Sequence, residues 1–308
     1  MDFLTAWRGK RVLVTGGTGF IGRHLIGLAE GGGIEIHNVS LTSRAPSADY
    51  NHQVDLCERE RLRALLLEVS PHAIIHLAAA GASRGRSALA TMLHANIIGT
   101  ENLLAAAEAL TDRPVIVFAG SGLEYTPQDR PFVETDPAVP LSAYGVAKAA
   151  ATLCAHFYAA RLPITLLRIF DVYGPGDSEP RLVPYIVARS RRGEPIELTG
   201  CEQVRDYVYV QDVAEAFWRA LLLPPANRLR ILNLGAGHAI RLRTLIETIA
   251  AILRERGIAP KLAFGRIPYR HEEPMLYAAN IERLAKELGW TPTISLEEGL
   301  RQTVEAML

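Results

Sequence analysis

Cysteine is scarce in this sequence: Cys57, Cys154 and Cys201 are its only three, widely spaced and with no pair at metal-ligand spacing. A disulfide framework and a thiolate metal site are disfavoured, and reduced thiols in a cytosolic protein are expected. An excess of one charge is also lacking. Thirty-three Lys and Arg balance thirty-three Asp and Glu, so nothing suggests nucleic acid or another long polyanion as a partner. No apolar run reaches membrane-spanning length, and "MDFLTAWRGKRVLVTGG" has no long apolar stretch behind its charges. A soluble, cytoplasmic protein without a membrane partner is therefore expected. Internal repeats and low-complexity tracts are missing too. Hydrophobic residues are plentiful, at 49% of 308, which suffices for a large core in one sizeable or two modest domains.

Near-continuous apolar runs at 11–15, 34–42, 73–78, 114–120 and 164–170 alternate with helix-like stretches at 20–30, 58–69, about 88–110, and 144–161. Strands covered on both faces have this character, and the alternation predicts a parallel sheet wrapped by helices. The expected fold is α/β: a Rossmann-type doubly wound parallel sheet over residues 1–170, with a smaller C-terminal substrate-binding lobe. Gly and Pro cluster in "DVYGPGDSEP" (171–180) as in a surface loop. Beyond it the pattern predicts helices near 182–192, 211–222, 241–256, 281–288 and 295–307, and short strands near 196–199 and 206–209. Residues 171–204 and 257–308 are assigned to the smaller lobe, with segments of about 205–256 returning to the first and a cleft between them.

"RVLVTGGTGFIGRHL" places Gly16, Gly19 and Gly22, with Phe20 and Ile21 between them, directly after the first strand and into the first helix. Glycines there let the backbone turn tightly and approach a pyrophosphate at the helix N-terminus. The plain alternative is a Gly-rich turn that only packs, but the strand-before, helix-after context favours a dinucleotide. In such folds a carboxylate at the end of the second strand bonds the ribose of NAD, while Arg suits the 2′-phosphate of NADP. Here "VSLTSRAPSAD" has no carboxylate from Val39 to Ala48, and it offers Ser43 and Arg44. NADP is therefore favoured over NAD, unless Arg44 is simply a solvated cation. Asp55, followed by Leu56, precedes a helix, where an acid commonly caps.

"LSAYGVAKAA" (141–150) sets Tyr144 and Lys148 four positions apart, on one face of a helix. Alone, such a pair is an ordinary surface feature with a snorkelling lysine. Together with the glycine loop, however, the chain resembles the extended short-chain dehydrogenase/reductase family, in the branch acting on nucleotide sugars. The resemblance runs nearly end to end, through "TGGTGFIG", "IIHLAAA", "ANIIGTENLL", "GSGLEY", "YGVAK", "VYGPG", "VRDYVYVQDVA" and "LGWTPTISLEEGL". It implies a catalytic trio of Ser121, Tyr144 and Lys148, and no metal. An unperturbed phenol loses its proton near pH ~10. The Lys148 ammonium and an oxidised nicotinamide would lower that value, letting Tyr144 exchange a proton with a sugar oxygen as hydride moves. Ser121 would orient the same oxygen. The resemblance also places Asp55 near the adenine amine, and Ala78, Ala79 and Asn96 along the cofactor. Arg205, Arg270 and, more weakly, Arg181 are implied as clamps on a sugar-nucleotide diphosphate.

Three departures from the family pattern bear on the reaction. Dehydratases carry an Asp–Glu pair directly after the catalytic Ser or Thr. Gly122 and Leu123 stand there instead, and Glu124 is one residue late, a slip that aims it at another face. In "RIFDVYG", Asp171 replaces an Asn that contacts the substrate phosphate. It would be repelled unless an arginine or a backbone bond holds it, or it only caps the loop. The Cys and His of the bifunctional epimerase/reductases are absent, with Leu123 and Gly176 in their places. The expected function is an NADP(H)-dependent reductase of a nucleoside-diphosphate-linked 4-keto-6-deoxy sugar. The alternative is an NAD-dependent nucleotide-sugar 4-epimerase of the galactose type, and a non-catalytic NADP sensor is least favoured. The resemblance implies a homodimer through "ENLLAAAEAL" and "AYGVAKAAATLCAHFYAARL", whose small and apolar residues would permit close helix packing.

Overall fold

The computed structural model describes residues 3–41, 44–81, 88–269 and 273–308. Its strands are β1 (Arg11–Thr15), β2 (Glu35–Ser40), β3 (Tyr50–Gln53), β4 (Ala73–His76), β5 (Val115–Ser121), β6 (Ile164–Ile169) and β7 (Asp171–Tyr173). Then come β8 (Pro195–Glu197), β9 (Val204–Tyr209), β10 (Arg230–Leu234), β11 (Ala239–Arg241), β12 (Lys261–Ala263) and β13 (Leu276–Tyr277). The helices are α1 (Phe20–Ala29), α2 (Arg59–Val69), α3 (Leu89–Leu93), α4 (Gly99–Glu108) and α5 (Ala143–Tyr158). They continue with α6 (Leu182–Arg191), α7 (Val210–Ala220), α8 (Leu242–Glu255), α9 (Glu282–Leu288) and α10 (Leu296–Glu305).

Seven parallel strands form the main sheet in the order β10-β6-β5-β4-β1-β2-β3. Side chains alternate between its faces. Val12, Val14, Ile75, Val117, Leu167 and Leu232 join the core under α1 and α7. Leu13, Ile74, Ile116, Phe118 and Leu166 join the core under α2, α4 and α5. Both faces of the central strands are thus covered, which is why β1, β4 and β5 are largely apolar. The strand order reverses its direction of growth between β1 and β4, and in open α/β sheets ligands bind beside such a switch point.

A third core gathers α6, α8 and α10 around Ile186, Ile246, Ile249, Leu253 and Leu300. β9 is the centre of a four-stranded sheet with β7, β11 and β13. Of the segments of about 205–256 expected to return to the first half, some do and some do not. α7 and β10 join the main sheet's layers, whereas β9, β11 and α8 do not. Amphipathic periodicity reveals that α8 has a buried face but not which core receives it. β3, read from "YNHQ", went unforeseen because an exposed edge strand carries no apolar signal. The helix expected over about 88–110 is broken by a π-helical turn at His94–Ile98, a device frequent at functional sites.

Trp218 of α7 is fully buried and donates its indole N–H to the Leu25 carbonyl of α1 at 2.9 Å. Trp218→Ala is expected to cost about 3–5 kcal/mol, read as a lower urea midpoint. A midpoint within error of the native one would show that α7 does not anchor α1.

Candidate active site

The β1–α1 connection must turn sharply and let α1 begin beside the sheet. Gly16 has a left-handed φ of 74°, a region that L side chains disfavour. A Cβ there would lie 2.7 Å from the Ala78 nitrogen. A Cβ on Gly22 would strike the Gly16 carbonyl oxygen and lie 2.6 Å from Gly17 Cα. The cradle is backbone against backbone, and it leaves room for a pyrophosphate at the α1 N-terminus, capped by exposed Gly19 with half-buried Phe20 and Ile21 following. These residues fit a dinucleotide.

Ala78, on the chain leaving β4, donates its N–H to Thr15 Oγ1 at 3.2 Å, and Ala79 beside it is half-buried. Asn96, in the π-helical turn, brackets the next residue: its Oδ1 accepts from the Ala80 N–H at 2.7 Å and its Nδ2 donates to the Ala80 carbonyl at 3.1 Å. Its amide is spent on the loop that borders the crevice. Asp55 accepts the Cys57 N–H at 2.9 Å, while Leu56 packs on Gly99 and accepts from Asn102 through its carbonyl at 2.9 Å. The end of β2 is Ser40, followed by exposed Leu41 and, after residues 42–43, exposed Arg44. Asp49 is engaged by the Ile36 N–H at 2.7 Å. Ser43 and Arg270 lie outside the described residues.

Ser121 ends β5, Tyr144 stands in the first turn of α5, and Lys148 follows one turn later. Ser142 caps α5 by accepting the Gly145 N–H at 3.0 Å, which fixes the helix start. Lys148 is buried, with its Nζ 4.8 Å from the centre of the Phe118 ring of β5. Tyr277 of β13 reaches the end of β5, where its hydroxyl would lie 2.6 Å from a Cβ on Gly122, and burial raises its pKa well above the ordinary value.

Burial, more than charge, governs the pair. The Tyr144 phenol is pushed up to about 12, first by burial and then by Glu124, with Arg181 opposing. Lys148 is brought down to about 8 by burial, with Glu124 opposing. The acidified phenol, expected from the Lys148 ammonium acting with an oxidised nicotinamide, is thus not a property of this chain by itself. At pH 7 the phenol is neutral and the ammonium charged.

Gly122 is hemmed in: a Cβ would lie 2.6 Å from the Tyr277 hydroxyl and 2.9 Å from Phe170. Glu124 turns into the interior and pairs with Arg168 at 3.0 Å. Its carboxylate had no role in the expectations, although Ser121 and Glu124 stand in the S-x-x-E pattern of a capping box, which they form. Asp171 lies 3.8 Å from Arg205, whose other nitrogen meets Glu273 at 2.9 Å. Arg205 is thus the arginine that holds Asp171, and two carboxylates already offset its charge. Arg181 donates to the Val172 carbonyl at 3.0 Å and pairs with Asp177 at 3.5 Å.

Crevices of this construction belong to the dinucleotide-dependent dehydrogenase class. Residues 12–235 match the NAD dependent epimerase/dehydratase family, and the chain belongs to it. It is an NAD(P)-dependent enzyme of the extended short-chain dehydrogenase/reductase type, in the branch acting on nucleotide sugars. Among its relatives is a dTDP-glucose 4,6-dehydratase of Neisseria gonorrhoeae, 29% identical over 96% of this chain and 95% of the other. Another is a dTDP-4-dehydro-6-deoxyglucose reductase of Escherichia coli, 29% identical over 97% and 98%. A solved UDP-glucose-4-epimerase of Stenotrophomonas maltophila, with bound NAD and formylated UDP-arabinopyranose, superposes with a TM-score of 0.86. It is 27% identical, with 97% of this chain and 98% of the other covered.

Gly22→Ala is expected to weaken dinucleotide affinity about tenfold or more, a loss of roughly 1.4 kcal/mol, in a fluorescence titration with NADPH and NADH. Native affinity for both in a folded variant would mean that the cradle does not hold the pyrophosphate.

Proposed function

We propose that this enzyme reduces a nucleoside-diphosphate-linked 4-keto-6-deoxy sugar with NADPH. One observation carries the reading: among the described residues, the two positions after Ser121 hold no carboxylate to remove water from a sugar, and the acid that follows them is engaged elsewhere. Gly122 is enclosed by Tyr277 and Phe170, and Glu124 is committed to Arg168. The dinucleotide, when bound, supplies the hydride. Tyr144, neutral at pH 7, gives its phenolic proton to the sugar oxygen, and Ser121 directs that oxygen by a hydrogen bond. The Lys148 ammonium stabilises the phenolate left behind. A site whose phenol is held protonated suits reduction better than oxidation. NADP over NAD is supported by Ser40, rather than a carboxylate, at the end of β2 and by exposed Arg44.

In the proposed site Gly16, Gly19, Phe20, Ile21 and Gly22 hold the pyrophosphate. Asp55, Leu56, Ala78, Ala79 and Asn96 border the rest of the dinucleotide. On the substrate side stand Gly122, Arg181 and the Asp171–Arg205 pair. Where Arg205 contacts a diphosphate, it must exchange Glu273 for the phosphate oxygens.

Purified enzyme given NADPH and a nucleotide-linked 4-keto-6-deoxyhexose should consume NADPH stoichiometrically, and Tyr144→Phe should abolish most turnover. Tightly retained NAD, with interconversion of two sugar epimers and no net oxidation, would make the epimerase correct. Function surviving Tyr144→Phe would favour a sensor.

The reading includes a homodimer. Val146, Leu153 and Phe157 lie along α5 with 37%, 71% and 65% of their surfaces exposed, and Ile98 beside α4 is 40% exposed. Such a stripe suits a second copy of the same helix pair. Sedimentation should show a dimer at micromolar concentration and a monomer for Leu153→Asp/Phe157→Asp. A native monomer there would rule out this assembly.

A further inference from the structure

Glu124 is a fully buried acid that the reaction above does not use. Burying a carboxylate is costly unless its oxygens are satisfied, and here they are. One oxygen accepts the Ser121 backbone N–H at 2.7 Å. The other accepts the Thr152 hydroxyl at 2.9 Å and Arg168 Nε at 3.0 Å. Arg168 is itself held with its guanidinium 4.3 Å from the centre of the Tyr125 ring.

These partners lie on three elements: Ser121 at the end of β5, Thr152 on α5 and Arg168 on β6. Tyr144, Lys148 and Thr152 are spaced by four residues, so they share one face of α5. A bond from Glu124 to Thr152 therefore fixes the rotation and height of that helix against the strand end bearing Ser121. Ser121 is locked from its other side as well, since its Oγ accepts the Leu123 N–H at 3.2 Å.

Charge follows the same route. Lys148 and Tyr144 are faced by His76 from β4, Glu124 after β5, Arg181 at the start of α6 and Tyr277 from β13, with Arg168 of β6 behind Glu124. Burial and Lys148 bring His76 down to about 3, so it is neutral. Glu124 acts on both Lys148 and Tyr144.

We propose that Glu124 is a positioning residue: one buried carboxylate that sets Ser121 against Tyr144 and Lys148 across β5, α5 and β6, and serves as counter-charge to the Lys148 ammonium. This role rests on Ser121, Tyr144 and Lys148 carrying the reaction, not on which sugar is reduced.

Glu124→Gln alone would strand the Arg168 charge, so the pair is removed together as Glu124→Gln/Arg168→Met, an exchange that buried pairs commonly tolerate. Lys148 is followed by 13C-lysine NMR, assigned with Lys148→Met. Its midpoint, expected near pH 8 in the native enzyme, should move to lower pH in the double variant. With NADPH and a nucleotide-linked 4-keto-6-deoxyhexose, kcat should fall about tenfold or more at unchanged NADPH affinity. A folded double variant with the native Lys148 midpoint and native kcat would overturn the assignment. If the native enzyme ignores that sugar, the reductase reading fails, and the titration alone decides on Glu124. If the double variant does not fold, Thr152→Val keeps the charge and cuts the tether. It should lower kcat with the Lys148 midpoint in place, and native kcat in that variant overturns the proposal.

Discussion

The site depends on a backbone-to-backbone approach: the turn after β1 lies against the chain leaving β4, with no Cβ between them. Because Gly16 meets the Ala78 nitrogen and Gly22 meets the Gly16 carbonyl, α1 starts at the very edge of the sheet. Its N-terminal N–H groups then open onto the switch point between β1 and β4. Ser121 reaches the same edge because β5 adjoins β4 in a parallel sheet, where all strands end on one side. α7 closes over α1 from outside through Trp218, so the cradle is supported by a core rather than by its own glycines.

Electrostatics in this crevice is ruled by desolvation. Spacing on a helix suggests that an ammonium should acidify its neighbouring phenol, but taking both groups out of water disfavours the charged form of each. The two shifts run toward one another: the phenol is raised and the ammonium lowered. Glu124 partly sustains Lys148 and works against phenolate, which biases the pair toward giving a proton.

Much of this was legible in the sequence. Strands such as β6, buried along its whole length, announce themselves as near-continuous apolar runs, and glycines between strand and helix mark a cradle. Helical spacing puts Tyr144 and Lys148 on one face, and it took the resemblance to a family to single them out. What stayed hidden is of two kinds. Polar edge segments such as β3 carry no hydrophobic pattern, so their pairing is decided by the neighbouring strand. Partnerships between residues far apart in the chain leave no local trace: Arg205 finds Glu273 at a separation of 68 residues, and Arg168 finds Glu124 at 44. Glu124 did have a local signature, the capping-box spacing from Ser121, but a pattern that ends a strand does not reveal that its acid also reaches a helix.

The crowding at position 122 makes the chemistry beside the serine a property shared between distant parts of the chain. A side chain on the residue after Ser121 would meet the Tyr277 hydroxyl of β13 and the Phe170 ring, so an acid placed there must displace one or the other. What can be installed next to Ser121 is thus decided by a strand that joins the site from near the end of the sequence.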